Sequence, residues 1–520
     1  MLVAKNFISY NYYLWAKSKG VKIFLFNEID FIPNESEETK EIFINCTSYR
    51  VESTWYTWAE NEKLIQSFKI KFPSLFKINN YDITLAIQKA MYWSNFKSGF
   101  LWYCIVNFFP NEKIFYADSL NQSGRLGALG RYFKLFDFKK KNQIKNSVEK
   151  ELDSKFAIHL KSDFQLGFYI DLIEKTKHDK QFSLFVEPKV NEQYLKELGI
   201  ADFRKIQHSA EIYPVPLINP FKLSKKDSFT LNIILIHWKE INENIQSAEA
   251  ICHSGLKATL INEGENGIYG AIVSEVFKKN GVKVYNTMNG VKSGEAQDAF
   301  INFDYWFVWD TQMKEMLATT NKISRDKLII SGHLIQDLIQ NYQYHNSLNV
   351  NLESLKSKKV ISIFTVKGKR FAKLESLKFL YNLLDEDETI ELFIRPHPAE
   401  KPEDYVLPEI NHERVHFANY NSKNLNSSLH DLLLISDLAI VYGSTVALDA
   451  KWMGVPCITF EMRDKSMIYC ADNDKIKHVR TLEDFITLVR SSLSKKQNKI
   501  EANESSVSDF ILEEIIKNNQ

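Results

Sequence analysis

Residues 390–398 read IELFIRPHP and residues 436–461 read SDLAIVYGSTVALDAKWMGVPCITFE. Each holds a short run that is apolar at nearly every position, so neither face of the strand it predicts can meet water. That is the pattern of a buried parallel strand. In the first stretch Pro396 and Pro398 forbid further ladder pairing, so Arg395 and His397 leave the sheet at the strand's carboxyl end. In the second, Gly443 permits a tight turn, Ser444 and Thr445 open a helix, and Gly454-Val455-Pro456 leads into another strand. Strand, turn, helix and strand make the unit of a doubly wound α/β sheet, which binds ligands at its carboxyl edge. Arg395 can clamp a phosphate in two places, His397 can donate to it, and Ser444 and Thr445 lie beside free N–H groups. Each motif also has a plain alternative, a rigid turn for the first and a helix cap for the second.

The same alternation covers most of the chain. Apolar runs at 22–27, 41–45, 113–118, 182–187, 258–263, 282–287, 304–309, 327–331, 359–366 and 414–418 predict further strands. Helical patterns lie between them, as at 267–280 and 426–436, and this order predicts βαβ units. The expected fold is α/β, with two Rossmann-like lobes whose parallel sheets face a cleft, plus an N-terminal accessory region. The Asn-rich segment 338–357 is the best boundary, and 139–150 and 213–221 are candidate linkers. The expected division is 1–150 for the accessory region, 151–340 for the acceptor lobe, 341–488 for the donor lobe and 489–520 for a tail ending in a helix.

Two more loops fall at strand ends. Lys367-Gly368-Lys369-Arg370 is a basic, glycine-containing turn, suited to phosphate or to plain solvation; it is not a Walker loop. Asn262-Glu263-Gly264-Glu265-Asn266-Gly267-Ile268-Tyr269 is acidic and glycine-rich and leads into a helix. Glu263 or Glu265 could deprotonate an acceptor hydroxyl, and both could equally cap the helix.

Bulk properties exclude several classes. The 520 residues carry a formal net charge of +1, which gives no global case for nucleic acid. The five cysteines form no CxxC pair, against a zinc site or a disulfide framework. No acidic DxD motif stands in a metal-binding context, so neither a metal nor a cofactor is expected. The longest apolar stretch, Gly99 to Pro110, is too short to span a bilayer. A cytoplasmic protein is expected. The basic-aromatic segment 124–141 leaves room for peripheral contact with the inner face of a membrane, or for an ordinary amphipathic helix.

The two opening motifs together resemble the C-terminal lobe of GT-B glycosyltransferases, especially bacterial surface-polysaccharide enzymes. There a strand ending in His-Pro precedes a Ser-Asp block with Ser-Ser or Ser-Thr and Gly-x-Pro. The resemblance implies that Arg395, His397, Gly443, Ser444 and Thr445 hold the phosphates of an activated sugar, aided by Lys367 and Lys369. Asp449 stands where many relatives have Glu, so Glu461 becomes a second candidate for the sugar or ribose contact. The acidic loop resembles the acidic-glycine turn of bacterial CMP-sialic acid transferases, in which a carboxylate is the general base. Asn262 departs from that pattern, which makes Glu263 the first candidate and Glu265 the second. Residues 281–339 resemble a block shared by capsule and lipopolysaccharide transferases and glycerophosphotransferases, with Met288-Asn289-Gly290 where relatives have Gln-His-Gly. Asn289 and Tyr269 are then acceptor-side contacts.

The implied function is inverting, metal-independent transfer of a sugar from a nucleotide-sugar donor, a CMP-linked acidic sugar among the candidates. The partner would be a glycan or lipid-linked glycan acceptor in surface polysaccharide synthesis. Alternatives are a sugar-nucleotide 2-epimerase or glycerophosphotransferase of related fold, and a non-catalytic glycan- or partner-binding protein.

Overall fold

The structure, a computed structural model, describes residues 2–5, 23–26, 50–94, 115–117, 131, 154–208, 212–219, 223–252, 255–262, 264–265, 267–288, 290–292, 294–340, 342–344, 347–348, 351–365, 370–397, 413–418, 427–442, 444–460, 476–493 and 506–520. They fall into two compact units, Met1–Leu2 with Tyr49–His333 and Val507–Gln520, and Val3–Ser48 with Leu334–Ser506.

The first unit is built on seven strands: β1 (Phe156–Leu160), β2 (Phe182–Val186), β3 (Arg204–Lys205), β4 (Ala258–Asn262), β5 (Lys283–Thr287), β6 (Tyr305–Val308) and β7 (Leu328–Ile330). Their order is β3-β2-β1-β4-β5-β6-β7, and every neighbouring pair is parallel. The second unit has six: β8 (Lys359–Phe364), β9 (Ile390–Arg395), β10 (Val415–Phe417), β11 (Leu438–Val441), β12 (Cys457–Phe460) and β13 (Ile476–Val479). These run β10-β9-β8-β11-β12-β13, again all parallel. In both sheets the chain steps outward on one side and then jumps back past its first strand. The switch points are β1/β4 and β8/β11, the places where such sheets take ligands. The expected pair of Rossmann-like parallel-sheet lobes is thus present.

The helices that matter here are α1 (Arg50–Lys71), α2 (84–94), α3 (Asp163–Thr176), α4 (Lys225–Ile251), α5 (Ile268–Lys279), α6 (Arg370–Glu386), α7 (Ser427–Ile435), α8 (Val446–Trp452), α9 (Leu482–Ser492) and α10 (Val507–Lys517). In the second unit Ile361, Leu392 and Ile440 of the sheet pack with Leu380 and Leu384 of α6 and Phe485 of α9. In the first, α4 starts at a capping box in which Ser224 and Asp227 bond reciprocally. Lys71 of α1 pairs with the same Asp227 at 3.0 Å, which fastens the first long helix to the unit. The terminal helix α10 returns to lie on α3, where Lys175 and Asp509 meet at 2.6 Å.

Within these two sheets, three strands carry no continuous apolar run. β1 (FAIHL) carries His159 mid-strand, β3 is two polar residues, and β13 (IKHV) alternates. The expected strand at 41–45 lies outside the described residues, as does 124–141 apart from residue 131. Of the candidate linker 213–221, residues 213–219 are described within the first unit. Tyr213 receives a bond from Trp238 Nε1 at 2.8 Å and donates its N–H to Asn242 at 2.6 Å.

The glycines of the acidic loop have a steric origin. A Cβ on Gly270 would lie 1.7 Å from the carbonyl oxygen of Gly264, and one on Gly264 would lie 2.7 Å from Asn286 Oδ1. The loop therefore rests directly on the first turn of α5. A Cβ on Gly267, by contrast, meets nothing within 4 Å. Gly270→Ala should lower the free energy of urea unfolding by ~3 kcal/mol or more, since backbone must move to admit it. Gly267→Ala should cost no more than about 1 kcal/mol. Equal stabilities of the two variants would contradict this packing.

Candidate functional site

Register sets the geometry of the second unit. Phe364 at the end of β8 is opposite Arg395 of β9 on one side and Val441 of β11 on the other. The residues after each strand therefore leave the sheet at one level: Thr365, then Pro396 and His397, then Tyr442 and Ser444. The Thr365 N–H donates to the Arg395 carbonyl at 3.2 Å, and the His397 N–H donates to Thr365 Oγ1 at 2.8 Å. Arg395 and His397 are both half-buried. Ser444 is half-buried and accepts the Val446 N–H at 3.4 Å, while Thr445 is exposed. The Tyr442 hydroxyl bonds Ser376, which ties the end of β11 to α6. Helix α8 has seven residues, so what it offers an anion is its first-turn N–H groups and hydroxyls rather than a long dipole. Asp449 on α8 lies 3.8 Å from Nε2 of His430 on α7.

The carboxyl edge of the first unit is a cluster of buried charge. Glu265 is fully buried, with Lys292 Nζ at 2.7 Å from Oε1 and Asn286 Nδ2 at 2.7 Å from Oε2. Lys89 of α2 enters the same cluster and donates to the backbone carbonyls of Glu265 and of Gln297, the latter at 2.9 Å. Asp298 lies 4.0 Å from Lys292, and Glu295 is held by Gln297 at 2.6 Å. Burial opposes the charge on each ion. It pulls the Lys89 ammonium down to about 8, against the attraction of Asp298 and Glu265. It pushes the Asp298 carboxyl up to about 7, against Lys292 and helped by Glu265 and Glu295. Burial also acts against the charge of Lys292, but Glu265 and Asp298 outweigh it and hold the ammonium above its usual range.

Beside this cluster runs a second network that no motif predicts. Tyr269, in the first turn of α5, shares a 2.8 Å hydrogen bond with His159 Nδ1. His159 Nε2 lies 2.9 Å from Glu187 Oε1, and His208 Nε2 lies 2.9 Å from Glu187 Oε2. Two histidines on one carboxylate hold Glu187 well below the usual carboxylate range, despite its burial. The Lys161 ammonium sits 4.5 Å from the centre of the Tyr269 ring.

Of the sequence candidates, Arg395, His397, Ser444 and Thr445 gather at one edge of the second unit. Glu265 and Tyr269 lie at one edge of the first. Glu263, Asn289, Lys367, Lys369, Gly443 and Glu461 lie outside the described residues. Lys89, His159, Glu187, His208, Lys292 and Asp298 had no motif to announce them. The one available signal was an ionisable residue inside an apolar strand, as at His159.

Comparison with solved structures fixes the architecture. A UDP-N-acetylglucosamine 2-epimerase from Listeria monocytogenes, described as putative, superposes with a TM-score of 0.52 at 14% identity, over 70% of this chain and 96% of that one. The S. aureus MnaA-UDP co-structure gives a TM-score of 0.50 at 12% identity, over 70% and 96%. The fold is GT-B-like. The sequence itself matches no protein-family model and no curated protein. Among the described residues of this GT-B-like chain, no helix is long and apolar enough to cross a membrane.

The buried acids set a pH dependence. Asp298 binds its proton more tightly folded than unfolded, where the ordinary value is 3.8. Its contribution to stability is therefore present below about pH 4 and is lost as pH rises towards 7. Asp298→Asn removes that slope. In urea unfolding between pH 5 and 7 the variant should gain on the wild type as pH rises, by at most about 1.4 kcal/mol per unit. A difference that stays constant over this range would show that Asp298 is ionised throughout.

Proposed function

We propose that the chain is a nucleotide-sugar enzyme that transfers a sugar to a glycan or lipid-linked glycan acceptor with inversion. The donor phosphates would bind at the carboxyl edge of the second unit. The observation that carries this is the common register of Phe364 with Arg395 and Val441, which brings a guanidinium, an imidazole and two hydroxyls to the β8/β11 switch point. A leaving diphosphate or monophosphate needs donors already aimed at its developing charge. Arg395, His397 and Ser444 would supply them, with Lys367, Lys369, Gly443 and Thr445 around the phosphates and Glu461 towards the sugar. The S. aureus fold neighbour is described as bound to UDP, which supports a nucleotide here. A CMP-linked acidic sugar remains the donor suggested by the acidic-glycine loop, and surface polysaccharide the acceptor class.

On the first unit both oxygens of Glu265 are committed to Lys292 and Asn286. Glu263 is therefore the carboxylate we assign as acceptor base, with Tyr269 and Asn289 as acceptor-side contacts. A second reading, 2-epimerisation of a sugar nucleotide, is favoured by the Listeria monocytogenes fold neighbour, which is described as a putative UDP-N-acetylglucosamine 2-epimerase. It needs no acceptor.

A thermal-shift screen with CMP, CDP, UDP and GDP should raise the melting temperature with one of them, as any ligand selective for the native state does. His397→Ala and Arg395→Ala should each cut turnover by ~100-fold or more. Nucleotide affinity should fall about tenfold, and the fold should remain intact by circular dichroism. Normal turnover in both variants would remove the Arg-Pro-His-Pro turn from the mechanism. Consumption of the nucleotide sugar without an acceptor would favour epimerisation over transfer.

A further inference from the structure

We infer that Tyr269, His159 and Glu187 form a proton-accepting triad on the first unit, with His208 as its pH-sensing partner, that takes a proton from a sugar substrate. The inference rests on the nucleotide-sugar reading above and adds to it a base other than the loop carboxylates.

The network crosses the carboxyl edge of the sheet in strand order. His208 follows β3, Glu187 follows β2, His159 is the penultimate residue of β1, and Tyr269 opens the helix after β4. The β1/β4 switch point lies at its inner end. His159 is 0% exposed, Tyr269 3% and Glu187 6%, so the chain of contacts is shielded up to His208. An ionised carboxylate that accepts from His159 Nε2–H leaves Nδ1 as a bare acceptor, and that atom faces the Tyr269 hydroxyl. A tyrosine that merely satisfies its hydroxyl needs one carbonyl. Here it has instead an imidazole backed by a carboxylate, and a Lys161 ammonium on its ring. Both favour the phenol giving up its proton.

The proton balance is simple. The substrate proton passes to Tyr269 Oη as the phenol proton passes to His159 Nδ1, and the imidazolium is held by Glu187. After product departure the same proton returns through Tyr269 to water. His208 shares the other oxygen of Glu187 and also contacts Ser247 of α4 at 2.8 Å. Glu243 of α4 and Lys189 add to its field, and Glu187 raises its affinity for a proton. A protonated His208 competes with His159 for the one carboxylate.

The test has an arm without substrate. In protein labelled with [13Cζ]tyrosine, Tyr269→Phe identifies the resonance. The triad requires the Tyr269 phenol to ionise at higher pH in Glu187→Gln than in wild type, because His159 is then a weaker base. A midpoint unchanged or lower in Glu187→Gln, as relief of charge repulsion alone gives, overturns the inference. In turnover, Tyr269→Phe should lower kcat about 100-fold with the Kd for UDP unchanged within about twofold. His208→Gln should move the acid limb of the kcat profile to higher pH, because His159 no longer competes with a second cation; an unmoved limb also overturns it. Wild-type protein that binds none of the nucleotides would sink the nucleotide-sugar reading instead, and the phenol comparison would still decide the triad.

Discussion

A parallel strand covered on both faces cannot be followed by a tight hairpin. It must hand the chain to a crossover, and the crossover starts outside the carboxyl end of the strand. This constraint organises both units. It gathers onto one edge residues that lie far apart in sequence: Thr365, Arg395, His397 and Ser444 in one case, His159, Glu187, His208 and Tyr269 in the other. Register then decides the level at which they emerge. Because Phe364 pairs with both Arg395 and Val441, a shift of one residue in β9 or β11 would flip the side chains to the other face and separate the guanidinium from the hydroxyls.

The two edges handle charge in opposite ways. On the second unit Arg395, His397 and Ser444 are half-buried and Thr445 is exposed. On the first unit Glu265, Lys292, Lys89 and Asp298 are all deeply buried. Removing one partner from a buried pair strands the other charge, at a cost of roughly 3–5 kcal/mol. The cluster is therefore a strong fastening. It joins α2 to the acidic loop through Lys89, and the 292–298 segment to the same loop through Lys292. Burial, helped by the neighbouring Glu265 and Glu295, is what raises the affinity of Asp298 for a proton against the pull of Lys292.

Local chemistry was legible in the sequence and long-range chemistry was not. The strands at 182–186, 258–262, 283–287 and 390–395 announce themselves by apolar continuity, and the exit of Arg395 and His397 from the sheet follows from two prolines. The fate of Glu265 could not be read this way. Its loop looks like a solvent-facing catalytic turn, but its ammonium partner Lys292 comes from another loop, and Lys89 reaches the same turn from 176 residues away on α2. The His159–Glu187–His208 network escapes for the same reason, since its members sit in three different strand segments. Gly264 and Gly270 were visible as glycines, but only the structure shows why each is needed: a Cβ would meet Asn286 Oδ1 at 2.7 Å from Gly264 and the Gly264 carbonyl at 1.7 Å from Gly270.

Sugar transfer and epimerisation differ in what receives or loses the proton, yet both need a base that works near neutral pH. An isolated carboxylate is a weak base for a sugar hydroxyl, and both oxygens of Glu265 are already taken by Lys292 and Asn286. In the triad we infer, the His159 imidazole is backed by the buried Glu187 carboxylate and meets the Tyr269 hydroxyl at 2.8 Å, so a proton can pass along it. Placing that pair on β1 and β2 has a further consequence. His159 then lies within β1, beside the switch point, while Gly264 and Glu265 are held by the contact with Gly270 and by Lys89. Rigid support for the proton acceptor and a close-packed loop for the substrate are what such chemistry requires. In the reading we propose, the first unit would supply both from residues whose sequence pattern, taken one at a time, is ordinary.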